Sequence, residues 1–368
     1  MSVSVEPYGV LRDESPVARY TLRGTGGLTL RVLTYGGIVQ SLEVPDAHGR
    51  VANVVLGFAS LQEYVGANTY FGALVGRFAN RLAGGRFNLD DKNYAVDANA
   101  GGHCLHGGGN GFDKRIWRAA PLSDNELRLS LTSPDGDQGF PGRLSVEVTY
   151  ALLDSGIRID YRASTDEPTV INLTNHSYFN LAGEDSGSVE AHTLVVDADE
   201  FTPVGRGLIP TGELADVVGT PLDLRRETPV GAHLRDRHPQ LLVAKGYDHN
   251  YVVRGTGLRR AARLADPGSG RVLEVSSDQP GLQVYSGNFL TVPTSARVGG
   301  HTVKAMDWRW RHSTSRILPT TRPSPPRSCD QLSRLPRRQC GSFTPSSGAR
   351  YSGSSWPNNS NLAASATL

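Results

Sequence analysis

Leu144-Ser145-Val146-Glu147-Val148-Thr149-Tyr150 puts an apolar residue at every second position, and after Asp154-Ser155-Gly156 the pattern resumes as Ile157, Ile159 and Tyr161. Two is the period of a strand, because successive side chains leave a strand on opposite sides. The run therefore reads as a half-buried hairpin closed by a tight Gly turn. Upstream, Leu127, Leu129 and Leu131 repeat the pattern before the turn-rich Ser133-Pro134-Asp135-Gly136-Asp137-Gln138-Gly139. Nearer the N-terminus, Leu28, Leu30 and Val32 form one row, and Ile38, Gln40, Leu42 and Val44 form another after Tyr35-Gly36-Gly37. The best helical stretch is a short turn around Ser60 to Tyr64, and no internal period suggests a solenoid or propeller. The predicted fold class is all-β, a large antiparallel β-sandwich. Its broad concave face suits a ligand with many hydroxyls.

The pattern stops at Leu290, and charge makes the same cut. Residues 291–368 hold 11 of the 38 Lys and Arg but only 2 of the 36 Asp and Glu, a net of +9, which leaves 27 against 34, a net of −7, for residues 1–290. The net of +2 for the whole chain averages two unlike pieces. Basic arms that bind nucleic acid or membrane surfaces are usually Lys-rich and lack scattered Trp and Cys, so neither partner is expected. Residues 1–290 are the right size for one β-sandwich domain, and 291–368 read as a Ser/Pro/Arg-rich, disordered tail. Of three cysteines only Cys104 lies in the body, which excludes a disulfide framework or a Cys-based metal site. Met1 to Glu6 has no basic stretch leading into an apolar run, so the expected compartment is the cytoplasm.

Polar residues gather in several places. Asn172-Leu173-Thr174-Asn175-His176-Ser177-Tyr178-Phe179-Asn180 packs three Asn, one His and one Tyr into a strand-like run, on which His176, Tyr178 and Asn180 should project together. A lone sheet histidine is often just a hydrogen-bonded structural residue, yet a polar row this dense is costly to bury without a ligand. His103-Cys104-Leu105-His106-Gly107-Gly108-Gly109 suggests a metal site or a phosphate cradle, but it lacks a third ligand and a following Lys-Ser/Thr helix. An ordinary Gly-rich loop explains it equally well. Gly76-Arg77-Phe78-Ala79-Asn80-Arg81, with Arg86 beyond, offers a multi-donor edge for hydroxyls or carboxylates, or else a set of solvated cations. Asp248-His249-Asn250-Tyr251 and Gln283-Val284-Tyr285-Ser286-Gly287-Asn288 each set polar side chains into a β-like run.

In this order, and with Asp197 to Pro203 and Ile209 to Glu213 between them, these elements closely resemble the aldose 1-epimerase, or galactose mutarotase, family over residues 5–290. The resemblance implies a β-supersandwich, no cofactor, and interconversion of the α and β anomers of free aldohexoses such as galactose and glucose. It makes His176 the general acid that protonates the ring oxygen, and it assigns the sugar hydroxyls to Asn80, Arg81, His106, Tyr178, Asp248 and Gln283. A small-molecule sugar would be the partner of a monomeric protein. Ring opening needs one proton delivered at the ring oxygen and one removed from the anomeric hydroxyl; a histidine suits the first task.

The second task needs a base, which in this family is a Glu in a late Leu-Glu-Pro-Gln-like segment. From Thr291 onward this chain contains no Glu. Back-translation of Trp308-Arg309-Trp310-Arg311-His312, read one nucleotide earlier, yields Leu-Ala-Leu-Glu-Thr, and the same shift through Asp330 resembles the family ending throughout. It also turns Leu290-Thr291-Val292-Pro293 into Leu-Asp-Gly-Thr. A single missing nucleotide near the Leu290 codon is therefore expected, with the Glu codon straddling Trp310 and Arg311. The chain as written should lack its base and the closing strands of its sandwich, leaving sheet edges unpaired. Two other functions stay open: a non-catalytic sugar-binding pseudoenzyme, or an epimerase of hexose phosphates served by Arg77 and Arg86.

Overall fold

Glu126–Ser133, Leu144–Leu153 and Gly156–Thr165 are three successive antiparallel strands whose register follows the alternation. Leu129 stands opposite Val148, and Tyr150 opposite Ile159, so the rows from the three strands face one core. A computed structural model describes residues 1–290 and the backbone of three later strands, Met306–Arg311, Ser315–Ile317 and Leu362–Thr367. The expectation of a disordered tail otherwise lies outside the described residues.

Three antiparallel sheets make up most of the fold. Ser2–Val10, Pro16–Arg23, Thr29–Leu33, Val39–Pro45 and Val51–Asn53 form a five-stranded meander in chain order. A nine-stranded sheet starts at Arg118–Pro121, runs through the three strands above, and continues across Val272–Ser277, Arg259–Ala265 and Thr193–Val196 to Thr228–Pro229. In the six-stranded sheet, Gly281–Tyr285, Asp248–Val253 and Ala198–Thr202 lie side by side. The largest apolar cluster takes Leu30 and Leu42 from the first sheet, Leu129, Tyr150 and Leu264 from the second, and Tyr251 and Val284 from the third. Burial of these side chains on facing sheets supplies the main driving force. No helix among the described residues is long and apolar enough to cross a membrane.

Two local expectations need correction. The row Ile38, Gln40, Leu42, Val44 is broken by an irregularity in the register, since Arg31 pairs with Ser41 while Val32 pairs with Val39. A bulge of this kind inserts one residue and re-aims the side chains beyond it, so Val39 joins Leu42 in the core. Gln40 turns instead to the Tyr8 hydroxyl and Arg19, at 3.1 and 3.2 Å. The short helical stretch expected around Ser60 to Tyr64 forms as Leu61–Gly66, starting at Ser60, whose backbone N–H donates to the Glu63 carboxylate at 2.9 Å; a second helix among the described residues, Pro239–Ala244, starts with Pro at its first position, where no N–H is needed. Finally, the open sheet edges expected after Leu290 are paired, because Leu362–Thr367 lies between Gly156–Thr165 and Val272–Ser277. Ladder hydrogen bonds are made by backbone, so Leu-Ala-Ala-Ser-Ala-Thr, free of Pro and Gly, meets that need without a family sequence.

Asp113 carries an unusual cost. Its side chain is buried, Oδ1 has no hydrogen-bond partner among the described residues, and burial pushes its carboxyl up to about 6 from 3.8. Between those values the folded state binds more protons than the unfolded chain, so Asp113 makes stability fall as the pH rises through that interval. Asp113→Asn is expected to raise unfolding free energy by roughly 2 kcal/mol above pH 6 and to change it little near pH 4, as read from urea unfolding at both pH values.

Candidate active site

The polar run Asn172 to Asn180 is not one strand but two short ones, Thr174–Asn175 and Tyr178–Phe179, with His176 in the step between them. Thr174 and Asn175 pair with Val75 and Leu74. The ladder extends around the histidine: the His176 N–H donates to Ala73 O at 2.8 Å, and the Gly72 N–H donates to His176 O at 3.1 Å. Only glycine fits at 72, where φ is +66° and a Cβ would stand 2.1 Å from Val39 O. Asn175 secures the step, since its amide donates to Gly72 O at 2.8 Å and its Oδ1 accepts from the Ser177 hydroxyl at 2.6 Å.

His176 and Tyr178 enter a cavity of about 550 Å³ that is also lined by Tyr70, Arg81, His106 and Asp248. That volume is within the range of about 300–1,000 Å³ usual for small-molecule sites. His176 is fully buried, with ring centroids of Tyr178, His106 and Tyr70 at 5.0, 5.1 and 5.5 Å. Asn180, expected beside them, is not at the cavity. The chain turns there, and its amide instead donates to Gly187 O at 3.0 Å while its Oδ1 accepts the Ala182 N–H.

Asn80 and His106 hold one another. The Asn80 N–H donates to His106 Nδ1 at 3.0 Å, and the His106 N–H donates to Asn80 O at 3.0 Å. A neutral His106 then carries its proton on Nε2, which makes that nitrogen a donor. Both residues sit in the left-handed region, with φ +66° and +55°. Such backbone costs on the order of 1–3 kcal/mol per residue and persists where neighbours over-determine it. Gly107 explains the glycines that follow, since a Cβ there would stand 2.0 Å from Gly76 O. Arg81 Nη1 donates to Asn80 Oδ1 at 3.3 Å. Asn80 Nδ2 is buried with no partner among the described residues.

Adjacent strands of the six-stranded sheet supply an acid–amide pair. Gln283 Nε2 donates to Asp248 Oδ1 at 2.7 Å, and Gln283 Oε1 has no partner among the described residues. His249 leaves the strand on the other side, where its Nδ1 accepts the Asp248 N–H and its Nε2 meets Gln240 Oε1, both at 3.2 Å. Burial pushes its pKa down from 6.5 to about 4. Ser286 and Asn288 hold the turn: the Asn288 amide donates to Ala244 O and Tyr247 O at 2.9 and 2.8 Å.

Not every candidate belongs to the cavity. Arg77 is 2% exposed, and its guanidinium donates to the Ser133 hydroxyl and to the carbonyls of Ser133, Pro134 and Pro141, with the carbonyls at 3.1, 2.7 and 2.7 Å. Burial pushes its pKa down to about 10. It staples the turn at 133–141 and offers nothing to a ligand, while Arg86 is exposed and away from the cavity. His103 accepts the Gly84 N–H at 3.0 Å, and no group of three possible metal ligands occurs among the described residues. Tyr70, Glu63 and Phe289 also line the cavity without any sequence signal that marks them, and so does Tyr285, which lies inside the Gln283 to Asn288 run. A tyrosine in an apolar run carries no signal of its own.

Solved structures with the same galactose mutarotase-like β fold include an aldose epimerase homologue from C. elegans, 28% identical with a TM-score of 0.72 over 81% of this chain and 89% of that one. Galactose 1-epimerase from Lactobacillus acidophilus NCFM is 26% identical, with a TM-score of 0.73 over 87% and 91%. The family model for aldose 1-epimerase matches residues 18–310. Among curated proteins, galactose mutarotase of Sus scrofa is 46% identical over 74% of this chain and 78% of its own length, and aldose 1-epimerase of Escherichia coli (strain K12) is 38% identical over 83% and 88%. The chain belongs to the aldose 1-epimerase family.

Two substitutions separate scaffold from site. Arg77→Met is expected to lower unfolding free energy by about 2–4 kcal/mol, because several buried acceptors lose their donor, while galactose affinity by calorimetric titration stays within about threefold. His249 stays neutral in the fold but charges in the unfolded chain, so its contribution to stability is lost as the pH falls from 6.5 toward 4. His249→Gln should shrink the difference between urea midpoints at pH 7 and pH 4.5 by an amount worth roughly 2 kcal/mol.

Proposed function

We propose that the cavity binds a free aldohexose, such as galactose or glucose, and that the chain descends from a catalyst of anomer interconversion. The convergence of two buried histidines, a guanidinium and the Asp248 carboxylate on one cavity, with Gln283 behind that carboxylate at 2.7 Å, carries this reading. Arg81 and His106 act as donors to hydroxyls; Asp248 is an acceptor, and Tyr178, Asn80 and Gln283 can do either. His176 gives a proton to the ring oxygen as the bond from that oxygen to C1 breaks. The anomeric hydroxyl loses its proton to a base, and C1 becomes a carbonyl. Rotation about C1–C2 and reversal of the same transfers give the other anomer.

The base is the weak point. No Glu occurs after Leu290, and an arginine at position 311 stays charged at any working pH, so it cannot accept a proton. We propose that one nucleotide is missing near the Leu290 codon. Met306–Arg311, the segment that a shifted frame would turn into the Glu-bearing one, runs between the strands of Tyr178 and Gln283, which supports that reading. The sugar-binding pseudoenzyme remains the second reading because of the same missing Glu. Hexose phosphates are disfavoured, since Arg77 is already saturated by protein acceptors. On this reading the protein is a cytoplasmic monomer with a small-molecule sugar as its partner.

Polarimetry of freshly dissolved α-galactose tests the proposal. A full-length chain with the nucleotide restored should accelerate mutarotation about 10²- to 10⁴-fold more than the chain as written, the usual cost of losing one acid or base. Equal rates from the two forms would refute the missing-base argument. Galactose binding without acceleration by either form would leave a sugar-binding protein only.

A further inference from the structure

Tyr70 is the cavity residue least explained by sugar binding alone. Its backbone is left-handed at φ +58°, a conformation a bulky side chain adopts only when its surroundings impose it. The reason lies in its two neighbours. Phe71 is buried against Phe58 and Tyr178 at 5.1 Å each, and Gly72 is bonded through its N–H to His176 O. With Phe71 and Gly72 both pinned, the twist at Tyr70 swings its ring into the histidines. The ring lies edge-on to His106, with centroids 4.6 Å apart and planes at 67°, and leans on His176 at 5.5 Å and 37°. His106 and His176 meet each other edge-on at 5.1 Å and 88°.

We infer that Tyr70 is a positioning residue that holds the ring orientation of His176. The inference rests on His176 being the acid of the proposed reaction. The last torsion of a histidine is broad and nearly two-fold, so hydrogen bonds or packing must choose the ring flip. His106 has such a bond through Nδ1, from the Asn80 N–H. Three rings also form a wall around His176, and Tyr70 is the one supplied by the segment to which the His176 backbone is bonded. Acid and wall therefore shift together.

The test compares full-length chains carrying Tyr70→Phe and Tyr70→Leu with the parent. Histidine ring resonances are followed by NMR, with His106 and His176 assigned through single substitutions. In Tyr70→Phe each ring should give one sharp set of signals, as in the parent. In Tyr70→Leu the His176 set should broaden or double, while galactose affinity changes less than about threefold, because the ring orders the acid more than it holds the sugar. In the frame-restored chain Tyr70→Leu should lower kcat by about ten- to a hundredfold with KM nearly constant, and Tyr70→Phe should keep kcat within about twofold. One sharp His176 set in Tyr70→Leu, or a loss expressed wholly in KM, overturns the inference. Should the parent bind no galactose, the functional proposal falls, while the NMR comparison still decides what Tyr70 does.

Discussion

Asn175 is where the sheets and the site are tied together. Its side-chain amide donates to Gly72 O and to the Tyr150 hydroxyl, at 2.8 and 3.2 Å, and that hydroxyl in turn donates to Gly37 O at 2.9 Å. Tyr150 belongs to an interior strand of the nine-stranded sheet, Gly37 to a turn of the five-stranded meander, and Gly72 to the segment bonded to His176. All three groups are buried, so each would otherwise be a desolvated donor or acceptor. An interior network satisfied this fully is rigid, and it places the histidine relative to two sheets at once.

The same economy governs the rest of the cavity wall. The reciprocal bonds of Asn80 and His106 use up the polar groups that face the protein, while Asn80 Nδ2 and Gln283 Oε1 have no partner among the described residues. Three non-glycine residues at or beside the cavity, Tyr70, Asn80 and His106, adopt positive φ. Strain concentrated at one place, together with buried polar atoms awaiting partners, is what a ligand site pre-organised by its scaffold looks like. Arg77 shows the opposite case. Its donors are spent on the turn that carries Ser133 to Pro141, so its charge supports the wall and never reaches the cavity.

Much of this was legible because the relevant signals are local. Alternation at Leu144 to Tyr150 needs only the pleat of a strand, and the order of the Asn-His-Ser-Tyr, Leu-His-Gly-Gly and Asp-His-Asn-Tyr elements needs only a resemblance. The misjudged positions depend on something the pattern does not carry. Gln40 changes side because a bulge adds one residue to its ladder. Asn180 leaves the row because the chain turns after Phe179. Arg77 and Arg81 are four residues apart, yet one is buried under a turn and the other lines the cavity, a distinction made by residues more than fifty positions away.

The sequence by itself determined the class of the fold, the family and the change of character at Leu290, since periodicity, motif order and composition are all properties of the chain as written. Tertiary structure alone decided which polar groups converge and which serve as scaffold. It brought Tyr70 against two histidines that lie 36 and 106 positions further along, and it set Asp248 beside Gln283. Those pairings come from strands that meet only when the sheets close. Their energy comes from burial and hydrogen-bond satisfaction, which depend on neighbours in space and not on neighbours in sequence.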